Sequence, residues 1–370
     1  MEKLTSRQAG ILIFLSVIGL KAVLLPAIIY YFAGNSGYIA VFFSLGFDFL
    51  LLLSYLFILK QNPNDSFFDI ISYSFGKTFT KIVTTILFIY YTTKTLLLLV
   101  STFNFFVQVL YDDMNSLFYM ISTLMLLLFT LKKNLRTFGR VSEIIFWVVF
   151  VSINIVLLIT SIGMDITNVL PVFQNGLEPI ANTSFRTAFA FGDYSIMIFL
   201  LGNIKQTKKT NTTIISYALV AISTILNFFI VFLCTFGYTV INQNLAIADL
   251  SLYIDLAVAV SRLEWIAIFA WTTTLIVQLT IYANLSKRSL DYILPKKIKS
   301  YSPYIVVVLL AILYLIEETT INTLMQYFLT PPFAIGSIII QVGIPALLLI
   351  AHFIKHRRKV AYVQSYPKTT

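Results

Sequence analysis

Four ionisable residues lie deep inside apolar stretches: Lys21, Asp48, Lys94 and Asp193. At the centre of a helix in a bilayer each costs about 2.5–3.5 kcal/mol, so each requires a partner, water or a ligand. Two cations and two anions sum to zero, the balance that a low-dielectric interior demands. Three chemistries are open to such a set. The groups could flank a zwitterionic solute, with Asp193 accepting an ammonium while Lys21 or the N–H groups of the first helix meet a carboxylate. They could form structural ion pairs between neighbouring helices. A buried lysine could also exchange a proton during a transport cycle.

Glycine spacing singles out two of the four. Gly19 stands two residues before Lys21 in "SVIGLKAVLLP", and Gly192 directly precedes Asp193 in "FRTAFAFGDYSIMIFLLG". A mid-span glycine lets a helix unwind, and unwound backbone at that depth is tolerated only where it is buried or lines a cavity. Gly19, Lys21, Gly192 and Asp193 are therefore the leading ligand-site candidates, with Lys94 beside them. The uncharged candidates are Tyr91, flanked by Tyr90 and Thr92, and Thr273, in a run with Thr272, Thr274 and Gln278. Hydroxyls on membrane helices more often bond their own backbone, which is the competing reading.

Other motifs point away from catalysis and metals. His352 and His356 are four apart, but they sit among "KHRRK" with no nearby carboxylate or cysteine and read as interfacial charge. Neither a nucleophile elbow nor a phosphate-binding glycine loop is present, so no enzyme activity and no cofactor are expected. The single cysteine, Cys234, excludes an intrachain disulfide. Glu143, three residues after Arg140, reads as half of a helix-end ion pair.

The elements that must position these residues follow from hydropathy. The 370-residue chain is 58% hydrophobic and 11% charged, which excludes an ordinary soluble domain. Its apolar runs suit membrane-spanning helices and not the shorter alternating strands of a barrel. Ten spans are read at 8–33, 37–60, 80–111, 116–132, 140–163, 183–204, 211–241, 263–286, 302–317 and 331–355. The first is too long for a signal peptide, with a central lysine and a proline, and reads as a retained span.

Nearly all of the Lys and Arg residues fall in the termini and the even-numbered connections, which predicts cytoplasmic termini. The net charge of +10 thus reflects topology and attraction to anionic lipid heads, not nucleic acid. Residues 1–360 read as one polytopic domain and 361–370 as a disordered tail. In "NDSFFDIISYSFGK", Ser66 and Asp69 predict a capped amphipathic surface helix. The apolar segment 241–262 is expected to lie along the outer mouth.

The spans carrying Gly19 and Gly192 each open a group of five. Repeats at about 8–163 and 183–355 would then be inverted in the membrane, because five is odd. The expected fold is all-α: ten transmembrane helices in two inverted five-helix repeats, with helices 1 and 6 broken at mid-membrane.

Five motifs in order give the chain a family resemblance: "TSRQAGILIFLSVIGLKAVLLP", "SFFDIISYSFGK", "LRTFGRVSEIIFWVV", "NVLPVFQNGLEPI" and "FAFGDYSIMIFLLGNIKQTKK". The chain resembles the spore germination permeases, the B subunits of nutrient germinant receptors, in the amino acid-polyamine-organocation transporter superfamily. Members usually carry a small residue in place of Lys21 and Glu in place of Asp193.

The resemblance implies a transporter-like nutrient sensor in the spore inner membrane. It would bind a small germinant such as an amino acid, beside a membrane A subunit and a lipoprotein C subunit. The alternative is a secondary active transporter of an amino acid or similar solute, with Lys21 standing in for a coupling cation.

Overall fold

The computed structural model describes residues 3–109, 114–174, 176–243, 245–246, 249–250, 263–318 and 326–365. The described chain is all-helical apart from one parallel bridge between Leu4 and Ile204. Its helices are α1 (Ser6–Ala33), α2 (Gly37–Gln61), α3 (Phe67–Phe75), α4 (Lys77–Val109), α5 (Ser116–Leu131) and α6 (Leu135–Thr160). They continue with α7 (Glu178–Arg186), α8 (Met197–Leu200), α9 (Thr210–Phe236), α10 (Leu263–Ile293), α11 (Ser302–Glu318) and α12 (Pro331–Ser365).

Among the described residues, seven helical segments are long and apolar enough to cross a bilayer, and the first, Ser6–Gln61, covers two of the ten stretches read from the sequence. The remaining two stretches are α5, which is shorter, and the broken segment from α7 to α8. This is a multi-pass membrane protein. Large apolar side chains such as Phe129, Ile144 and Leu158 face outward, as a lipid-contacting surface requires and a water-facing one forbids.

Helix α1 is apolar on every side, and every residue from Gln8 to Val23 is buried, so it runs through the centre of the bundle. It packs chiefly against α9, while α4 packs chiefly against α10. Its start is fixed by a capping box in which the Thr5 hydroxyl accepts from the Gln8 N–H and the Gln8 side chain accepts from the Thr5 N–H.

The chain preceding α1 is pinned beneath the broken segment. The Leu4 N–H donates to Asn203 O at 2.8 Å, and the Lys205 N–H returns to Leu4 O at 2.8 Å. Gly202 (φ +76°) turns the chain there, and a Cβ would come within 3.0 Å of the Asp65 and Ser66 backbone, so that turn admits only glycine.

The amphipathic helix expected after span two is α3. Its Ser66–Asp69 capping box is formed in both directions, and Phe67, Ile70 and Ile71 are buried. Three readings need correction or bounding. Glu143 pairs across helices, with Arg7 at 3.8 Å and accepting from the Gln8 amide at 3.4 Å on α1, and no ion pair joins it to Arg140 among the described residues. The described part of the tail is helical, with α12 ending at Ser365. Most of the 241–262 segment, and residues 366–370, lie outside the described residues.

Candidate functional site

The sixth apolar stretch is not one helix. After α7, residues Ala188–Ala190 form a 3-10 turn, Phe191 is extended, and Gly192 adopts the left-handed region at φ +79°. Asp193–Ile196 then form a second 3-10 turn that leads into α8. Backbone groups freed in a membrane interior must find partners, and here they do. The Gln341 amide of α12 donates to Ala188 O at 2.8 Å and to Phe191 O at 3.0 Å. Lys94 Nζ of α4 donates to Phe191 O at 2.7 Å, and the Gly192 N–H donates to Asp48 Oδ2 of α2 at 2.8 Å. A Cβ on Gly192 would come within about 2.5 Å of the Gln341 side chain, so glycine is required here for both conformation and space.

Helix 1 differs from its expected form. It is not unwound: α1 is helical from Ser6 to Ala33, with Pro26 inside. One ladder bond is opened instead. The Leu20 N–H donates to Gln278 Oε1 at 2.8 Å, and Gln278 Nε2 donates to Ser16 O at 2.7 Å, so an amide from α10 is spliced between an i and i−4 pair. Gly19 makes room, since a Cβ there would lie 2.2 Å from Gln278 Oε1. The glycine marks the opening, but bridging by a single side chain keeps the helix otherwise intact.

The charged groups converge between these two points. Lys21 Nζ contacts Asp193 Oδ2 directly and donates to Val17 O at 3.2 Å. The Tyr282 hydroxyl of α10 donates to Asp193 Oδ1, and Lys94 Nζ stands 3.5 Å from that same oxygen. Lys21 is fully buried, and Asp193 and Asp48 nearly so. Asp193 is thus surrounded by three donors, whereas Asp48 Oδ1 has no hydrogen-bond partner among the described residues. Aromatic faces complete the enclosure, with Phe191 5.1 Å from Lys21 Nζ and Tyr282 5.1 Å from Lys94 Nζ.

The fold therefore brings Gly19, Lys21, Lys94, Gly192 and Asp193 into one cluster. Tyr91 borders it: its ring lies 6.3 Å from that of Tyr282, and its buried hydroxyl has no partner among the described residues. Thr273 is not brought in, because its hydroxyl donates to Phe269 O of its own helix at 2.7 Å on an exposed face. Helical periodicity explains the miss, since Thr274, Gln278 and Tyr282 share the inward face of α10 and Thr273 is one position off it.

Tyr282 and Gln341 escaped the sequence reading. Tyr282 had a signal, lying four residues after Gln278; Gln341 was visible as a lone polar residue in "IIIQVGIP". Among the described residues no three His, Cys, Asp or Glu side chains gather as a metal site.

Comparison with known proteins matches this architecture to one family and one fold. No curated protein matches the chain. Among solved structures 43 chains match. One is a Na+-coupled sialic acid symporter in its substrate-bound outward-open state, with a TM-score of 0.64 and 10% identity over 95% of this chain and 79% of that one. At that identity the likeness is one of fold, a transporter fold. A family model described as "Spore germination protein" matches residues 3–323. With most of its length matched, a helix broken at Gly192 and a transporter fold around it, the chain belongs to the spore germination protein family.

Proposed function

We propose that this protein is the nutrient-sensing membrane subunit of a spore germinant receptor, and that a small zwitterion such as an amino acid binds at the Lys21–Asp193 cluster. The observation that carries the reading is a charge-neutral, buried set of two lysines and two aspartates built around a helix break. A zwitterion adds no net charge to it. Its carboxylate can take Lys21 or Lys94 while its ammonium takes an aspartate, so every charge stays paired; a singly charged solute would leave one group uncompensated in a low-dielectric site.

Such an exchange separates α1 from the residue after Gly192. The chain beyond that break is tied to Leu4 and to the α2–α3 connection, so ligand binding would be felt at that face. A membrane A subunit and a lipoprotein C subunit would read the shift there, in the spore inner membrane with both termini cytoplasmic. No enzymatic step is part of this reading.

The experiment is thermal unfolding in detergent against amino acids, sugars and nucleosides. A ligand at 100 times its dissociation constant should stabilise by about 2.7 kcal/mol. A shift confined to amino acids and lost in Asp193→Asn supports the assignment; a full response in that variant overturns it.

One observation favours a second reading, secondary active transport. The Lys21 ammonium sits on a carboxylate oxygen and a backbone carbonyl, the kind of donor set that a coupling cation would use. Solute uptake by the protein alone in liposomes, driven by a pH gradient, would select this alternative over sensing.

A further inference from the structure

A crevice of about 270 Å³ separates α4 from α12 and ends at the central cluster. Ile86, Ile89, Tyr90, Thr93 and Lys94 line one wall, and Phe333, Gly336, Ser337 and Ile340 the other, with Phe189 and Phe328 also in the lining. The lining is almost entirely apolar. Its rim and its floor differ: Ile86, Ile89 and Phe333 are exposed on the outer surface of the bundle, whereas Tyr90, Lys94, Phe189 and Phe328 are buried.

Position decides what can enter. On α4, Ile86 to Lys94 stand roughly 14–26 Å from the helix start at about 1.5 Å of rise per residue, which is membrane depth for a spanning helix. The mouth therefore faces hydrocarbon, where no bulk water is available to fill it. On the opposite wall the crevice begins within the first two turns of α12, beside the exposed Tyr327, whose amphipathic ring suits the headgroup level. An apolar lining, an outer edge exposed at membrane depth and a buried inner end match one hydrocarbon chain entering sideways from the bilayer.

We propose that this crevice is a binding site for one acyl chain of a phospholipid from the leaflet at the first turn of α12. The chain passes Phe333, Gly336 and Ile340 and ends against the Tyr90 ring and the aliphatic stem of Lys94. Recognition is of the chain and not of the headgroup, since the lining offers it no charge near the rim. Because Tyr90 and Lys94 also face the helix-six break, through Gln341 at 3.3 Å and Phe191 O at 2.7 Å, an occupied crevice braces the outer wall of the cluster. This assignment does not depend on the identity of any germinant.

Gly336 supplies the test, because a Cβ there meets nothing within 4 Å and a larger side chain would grow into open space. Wild type and Gly336→Leu are delipidated in detergent, titrated with dioleoyl phosphatidylcholine or dioleoyl phosphatidylglycerol, and scored for retained lipid by native mass spectrometry. The expected result is one lipid retained by wild type for either headgroup, with Gly336→Leu needing at least about fivefold more lipid for equal occupancy.

Unaltered protein in vesicles carrying a phospholipid with a photoactivatable chain terminus provides an independent readout, with labelling concentrated on peptides containing 86–94 and 333–340. Equal retention by both proteins, retention of only one headgroup, or labelling spread evenly over the exposed helices would overturn the assignment.

Discussion

Replacing Asp193 by Asn removes the one negative charge among the described residues that contacts Lys21, a lysine with no exposure at all. The buried set then carries two lysines against Asp48 alone, and Asp48 is already committed through Oδ2 to the Gly192 N–H. Removing one partner of a buried pair costs about 3–5 kcal/mol, because the other charge stays desolvated and uncompensated. For 370 residues, at about 2.1 cal/mol/K of unfolding entropy per residue, that corresponds to a fall in Tm of roughly 4–6 °C.

The double variant Lys21→Met with Asp193→Leu removes both charges, leaves Lys94 balanced by Asp48, and should return to within about 1 kcal/mol of wild type. Thermal unfolding of the two singles and the double in one detergent yields the coupling energy directly. The reasoning fails if Asp193→Asn lowers Tm by less than about 1 °C, or if the double variant falls by the sum of the singles.

Gly19→Ala drives a methyl group into Gln278 Oε1 and expels the spliced amide; the orphaned amide should cost about 1–3 kcal/mol, visible as a lower Tm. Gln278→Leu should instead let Leu20 bond to Ser16 directly with no amide left orphaned, so its Tm should fall less than that of Gly19→Ala. At Asp48 the carboxylate bond to the Gly192 N–H should be worth about 1.5–3 kcal/mol; Asp48→Leu loses it, and Asp48→Asn, which keeps an oxygen acceptor, loses less, as thermal unfolding would register. Ser66→Ala removes the α3 cap at a cost of about 0.5–2 kcal/mol, read as faster amide exchange confined to Phe67–Phe75.

Hydropathy and polar punctuation made the all-helical, multi-pass character legible, since lipid leaves backbone groups in a long apolar run few partners outside their own helix; the broken sixth stretch shows that the helices' form was not. The same logic exposed Lys21, Asp48, Lys94 and Asp193, because an ionised group inside such a run has no local solution. Gly192 was legible as the break for a similar reason: a left-handed residue between two short turns is a local demand that glycine satisfies. The capping boxes at Thr5 and Ser66 are local as well, and only the second was read.

Partnership was not legible. Lys21 could have met Asp48, Asp193 or a ligand, and only the packing of the helix-six break against α1 selects Asp193. The roles of Gln278 and Gln341 depend on residues 150 or more positions away that need their amides. Thr273 and Tyr282 show the limit most plainly. Both are polar residues on one apolar helix; their spacing from Gln278 separates them onto different faces, but that the Gln278 face is the one turned to the cluster is set by the packing of α10 against α1 and α4.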